Sequence, residues 1–270
     1  MTLFRIKPNL FVILSFLIFG FLFWHLAKEM LIVKNDGLYV GQVNLYGDLV
    51  LHLTLINKFL ESGKIFPDSP IFASSKINYP IFADFITAQV ARLAGIDFAL
   101  FIITFLAGLL VIFVIRLFIL NFVKNEKIVF LALLIFFLNG GFGFFYFFQD
   151  FFASQKPPLE FLSSMPQEYT DIKDKGYWWI NNYLAYFLPQ RGFLFAFPIT
   201  LTVLSFLYIG FKKNRTYLFI IAGILAGFLP FIQVHSLFFL LLISILFFPL
   251  SLYFSDENQR LTLLKSWILF

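Results

Sequence analysis

The sequence predicts an all-α polytopic membrane protein with six spanning helices, and three observations carry the prediction. Of 270 residues, 60% are hydrophobic and only 13% are charged, whereas soluble domains average about 25% charged. Forty-three residues are phenylalanine, more than one soluble core can hide, so lipid is the solvent that fits. The apolar residues also gather into stretches separated by short basic connections.

Six stretches are long enough to span, at about 10–26, 98–122, 128–148, 193–211, 217–232 and 237–254. The first belongs to an uncharged run, Pro8 to Ala27, that matches the ~30 Å of hydrocarbon. It is too long for a signal-peptide core and no small-residue cleavage site follows it, so it reads as an uncleaved anchor. Lys or Arg marks the start (Arg5, Lys7) and the connections "VKNEK" (123–127), "KKNR" (212–215) and "SDENQRLTLLK" (255–265). The positive-inside rule places all four in the cytoplasm. Six alternating spans from an internal N-terminus do the same. Segments 28–97 and 149–192 then lie outside a plasma membrane. The chain reads as one transmembrane domain over 1–270. Its last residues, "SWILF", read as the start of a seventh span.

Composition also removes chemistries. There is no cysteine, hence no disulfide, thiolate metal site or cysteine nucleophile. The net charge of +5 is scattered beside apolar stretches, which gives nucleic acid no basic face.

The outer segments hold the unusual polar residues. Gly47–Ser62 predicts a helix with Gly63 as its C-terminal stop. At 100° per residue, Asp48 and His52 fall about 40° apart, on the side of Leu55, Ile56 and Phe59. An acid and an imidazole on an apolar face at the membrane boundary are candidates for a site. Asp48 also fits a helix N-cap, and His52 a packed histidine. "NYPIFADFITAQVARLAGID" predicts a second helix, with Pro80 in its first turn and Gly95 at its end. Asp84 sits one turn in, as a second candidate base or as a first-turn acid facing the helix dipole. Trp178 and Trp179 fit interfacial anchors or a stacking surface for a sugar or lipid head group. Arg191, at the mouth of the fourth span, fits a snorkelling side chain or a phosphate ligand. His235 lies in the turn between spans five and six. All of these map to one membrane face.

This layout resembles the GT-C superfamily of membrane glycosyltransferases. The resemblance runs through an anchor, "GD" (47–48) opening one outer helix, "NYPIFAD" opening another, and a multi-span body. It is nearest the protein mannosyltransferase and aminoarabinose transferase group, in which a helix opening with Pro follows an aromatic residue, as Tyr79 precedes Pro80 here. "LPQRGFLFAFP" and "LPFIQVHSLF" are similar to segments of that group. The resemblance implies that this chain is the N-terminal part of a longer protein. It implies inverting transfer of a sugar from a polyprenyl-phosphate donor to a glycan, lipid or protein acceptor at the outer face. The family's acid in the first outer loop falls on Asp48. Members often carry a second acid beside it, where this chain has Leu49. No organic cofactor is implied, and a divalent metal stays open.

The expected chemistry is direct displacement. Asp48 accepts the acceptor's proton, His52 orients the carboxylate or the acceptor, and Asp84 is the alternative base. Arg191 and His235 steady the leaving phosphate, with Tyr79, Trp178 and Trp179 in substrate binding. A lipid or solute transporter and a non-catalytic assembly subunit are the competing expectations. A transporter is favoured by the glycines of "NGGFGF" (139–144), which would break a span.

Overall fold

The computed structural model describes residues 9–42 and 45–270. Arg5 and Lys7, used above to orient the N-terminus, lie outside that range. Helix α1 (Leu10–Lys28) starts where the Asn9 side chain accepts from the Phe11 amide. A short antiparallel hairpin follows, β1 (Ile32–Lys34) with β2 (Gly37–Tyr39). Next come α2 (Tyr46–Ser62), closed by Gly63 at φ +63°, and α3 (Phe82–Ala94). Gly95, at φ +87°, turns the chain directly from α3 into α4 (Ile96–Leu120). Then follow α5 (Glu126–Phe137), α6 (Phe144–Ser154) and α7 (Pro158–Ser163). Strands β3 (Asp171–Ile172) and β4 (Tyr177–Trp178) form a second hairpin, ahead of one turn of π-helix (Tyr183–Phe187). The chain continues with α8 (Arg191–Lys212), α9 (Thr216–Ile232), α10 (Val234–Tyr253) and α11 (Glu257–Leu269).

Among the described residues, four helices, α1, α4, α8 and α10, are long and apolar enough to cross a membrane, and α9 is a shorter apolar helix. The protein is therefore a multi-pass helical membrane protein. The third predicted span, 128–148, is not one helix. α5 stops at Phe137 and the chain turns before α6 begins. Gly141 takes a left-handed φ of +61°. A Cβ on Gly143 would collide with the Tyr169 carbonyl. Polar groups from later in the chain occupy the freed backbone. Asn182 Nδ2 donates to Phe136 O (2.7 Å), and Asn181 Nδ2 donates to Phe137 O (3.2 Å) and Asn139 O (2.9 Å). The Tyr177 hydroxyl donates to Gly140 O (3.1 Å) and accepts from Gly143 N (2.8 Å). A broken helix is tolerated at membrane depth only when such partners satisfy it.

Three apolar cores hold the molecule. One joins α1, α4, α5 and the π-turn through Phe19, Phe23, Phe137 and Phe187. One packs α2 on α3 and the start of α4 through Leu49, Ile56, Phe59 and Leu100. One joins α8 to α11 through Val203, Phe219, Leu229 and Leu263. The expected start of a seventh span lies in α11, which turns back along α9. Ser266 Oγ donates to Thr216 Oγ1 (2.9 Å), and Phe270 lies against Gly223. The basic connections meet at one end. There Arg116 pairs with Glu126, Asn121 bonds Ser205 and Lys127 lies over Phe11. The other end carries α2, α3, both hairpins and the start of α8.

Candidate functional site

The site grows from the pairing of α2 with α3. On α2 the buried residues are Leu49, His52, Leu55, Ile56 and Phe59, the face that periodicity predicts. Arg92 Nη2 donates to Phe59 O (2.9 Å), fastening α3 to the end of α2. This pairing sets His52 against Asp84. His52 Nδ1 lies 2.9 Å from both carboxylate oxygens of Asp84, which is fully buried. A carboxylate only accepts, so Nδ1 carries the proton. Nε2 is left to the cavity that His52 helps to line.

Arg191 comes from the first turn of α8. Gly192 permits the approach, because a Cβ there would collide with Ile232 O at the end of α9. The Arg191 side chain is 1% exposed. Its Nη2 donates to Thr87 Oγ1 (2.5 Å), and Nε lies 3.7 Å from Asp84 Oδ1. Nε and Nη1 make no hydrogen bond among the described residues. A buried guanidinium is costly unless paired. Asp84 supplies that charge, so Asp84, His52, Arg191 and Thr87 form one buried cluster.

Three expectations for single residues change here. Asp48 is not the N-cap of α2. Leu45 holds that position without a side-chain bond, and Asp48 lies in the first turn. Asp48 is half-buried, and its Oδ2 accepts from Gln190 Nε2 (3.0 Å). His52 does not orient Asp48, since its hydrogen bonds go to Asp84. Pro80 stands two residues ahead of α3 rather than inside it.

Three cavities meet around these groups. The first, about 150 Å³, is lined by His52, Tyr79, Arg191, Gln233 and His235. Tyr79 stands edge-on to His52, with ring centroids 6.2 Å apart. Its burial, then the carboxylates of Asp84 and Asp48, push the phenol above its ordinary pKa, so it remains a neutral donor. The second is an apolar groove of about 760 Å³ between α4, α5, α8 and α10, lined by Phe118, Phe136, Phe193, Phe197 and Phe239. Gln190, Gln233 and His235 line both, so the groove opens on the Arg191 cavity. The third, about 750 Å³, is polar and holds Asp48, Glu168, Asp171, Lys173, Trp178 and Trp179. The Asp48–Gln190 bond joins it to the other two.

The structure thus gathers His52, Tyr79, Arg191 and His235 in one cavity, with Asp84 behind them. Asp48, Trp178 and Trp179 stand in the neighbouring one. The sequence reading did not single out Gln190, Gln233 or Thr87, although the first two lie inside the segments "LPQRGFLFAFP" and "LPFIQVHSLF". Among the described residues, no three His, Asp or Glu side chains gather to hold a metal.

Comparison with protein-family models, with curated proteins and with solved structures finds no match.

Proposed function

We propose that the protein is a membrane glycosyltransferase of the GT-C type, moving a sugar from a polyprenyl-phosphate donor to an acceptor at the outer face. One observation carries this reading. A buried arginine, two of whose nitrogens make no hydrogen bond among the described residues, stands at the wall of a small cavity, and an apolar groove opens into that cavity. An amphiphile with an anionic head and a long apolar tail suits both features. A guanidinium matches phosphate oxygens with its planar fork.

In the proposed reaction the acceptor hydroxyl attacks the anomeric carbon of the sugar. The new carbon–oxygen bond forms as the bond to the phosphate breaks, and the phosphate leaves with the electron pair. Asp48 takes the hydroxyl proton. Arg191 and His235 receive the charge that develops on the phosphate. Asp84 holds the His52 ring and balances Arg191, which makes it a positioning residue. In this reading the chain crosses six times from a cytoplasmic N-terminus, with the shorter α9 and the α5–α6 pair counted among the crossings, and the site lies outside.

The test is Arg191→Lys. Lysine keeps the charge and loses the fork. The variant is expected to insert normally and to use the lipid-linked donor poorly in a membrane assay. Equal donor use by both proteins would retire the phosphate role. Transport is the second reading, favoured by the break between α5 and α6. A transporter would deliver the lipid with its sugar–phosphate bond intact, so release of free lipid phosphate separates the two.

A further inference from the structure

Among the described residues that line the polar cavity, Asp48, Glu168 and Asp171 are acidic and Lys173 is the one cation. An anionic ligand is repelled there. The Arg191 cavity has a cation at its wall, with its counter-charge Asp84 behind it. The polar cavity therefore suits a ligand without negative charge.

Its second feature is aromatic. Trp178 is 67% exposed and Trp179 is 41% exposed, and both face this cavity. The second hairpin fixes their backbone. The Trp179 ring lies on Gly141, where a Cβ would meet it, and its backbone amide donates to Thr170 O (2.8 Å). Trp178 pairs across the hairpin with Asp171. Tyr177, between the strands and the α5–α6 turn, locks the hairpin to Gly140 and Gly143. Interfacial anchors need only a surface facing lipid. Here the indoles share a walled space with three carboxylates.

We propose that this cavity is a binding site for a neutral saccharide. A sugar ring offers an apolar C–H face and a rim of hydroxyls. The indole faces take the first. The carboxylates, which only accept, take hydrogen bonds from the second. Asp171 and Glu168 stand beside the tryptophans, and Asp48 stands at the end nearest Gln190. As the seat of the acceptor this site rests on the transfer reading, and it narrows the acceptor to a glycan or a sugar head group. The binding itself does not depend on transfer.

The experiment reads binding alone, on the full chain in lipid nanodiscs. Indole fluorescence is titrated with neutral trisaccharides of glucose, mannose, galactose and N-acetylglucosamine. Trigalacturonate serves as the anionic probe and spermidine as the cationic one. At least one neutral trisaccharide is expected to give a saturable change, and trigalacturonate none. Trp178→Ala should weaken binding about tenfold, the size of one aromatic contact. Asp171→Asn, which leaves both indoles in place, should weaken it as well. Trp24→Phe and Trp267→Phe, both outside this cavity, should bind as the parent does. Failure of every neutral trisaccharide would overturn the proposal, as would tighter binding of trigalacturonate or spermidine. Loss of transfer in Arg191→Lys without loss of saccharide binding would leave this site standing by itself.

Discussion

Asp48 and Asp84 are both first-turn acids of outer helices, yet their surroundings predict opposite phenotypes. Asp48 lines the polar cavity, and its hydrogen-bond partner among the described residues is the neutral Gln190. Asp48→Asn should fold and insert normally while transfer falls by on the order of 10²–10⁴-fold, since an amide cannot take the proton. An active Asp48→Asn protein would remove it as the base. Asp84 is the buried counter-charge of Arg191 and the partner of His52. Asp84→Asn leaves a buried cation uncompensated and should cost about 3–5 kcal/mol of stability, read as a lower melting temperature in detergent. A stable Asp84→Asn protein would show that Arg191 does not need it. Sequence periodicity reached the face on which His52 lies. It could not reach the pairing with Asp84, because that contact depends on how α2 crosses α3. Nor could it separate the two acids, since both follow the same local pattern of an acid near a helix start.

The α5–α6 break depends on groups far away in sequence. Tyr177, Asn181 and Asn182 hold it from some 40 positions downstream. Hydropathy alone therefore reads 128–148 as continuous, and only the glycines of "NGGFGF" hint otherwise. Gly143→Ala should destabilise the outer segment by about 1–3 kcal/mol through overpacking against Tyr169 O, with faster limited proteolysis between α6 and the π-turn. Gly227→Ala is the control. Nothing lies within 4 Å of a Cβ there, and alanine favours a helix. If the two variants are digested alike, the break is not held by this contact. Tyr169 adds a pH handle to the same segment. Its hydroxyl donates to Asp150 Oδ2 (2.9 Å). Burial first, then that bond, push its pKa up to about 12. The unfolded phenol titrates near 10. The contribution is therefore whole below pH about 10 and is lost as pH rises through about 12. Tyr169→Phe should flatten the fall in stability across that window, and an unchanged slope would remove Tyr169 as its source.

At the scale of the whole molecule, the arrangement of ends was legible from composition. Short basic connections separate apolar stretches, and the structure gathers those connections at one end and the polar cavities at the other. The cysteine-free chain makes the sidedness testable. Cys at Asp36 or Thr170 should react with an impermeant maleimide in intact cells, and Cys at Asn125 or Asn214 only after lysis. Labelling of Asn214 from outside would reverse the topology. The short α5 has a consequence for the bilayer itself. Its 12 residues cover about 18 Å of a hydrocarbon layer ~30 Å thick. Lipids answer such mismatch by thinning beside the short helix. Phe136, at the end of α5, also lines the apolar groove. Under the transfer reading, the mouth of that groove would open where the leaflet thins around α5, and a lipid-linked donor would have less depth to cross before its phosphate reached Arg191.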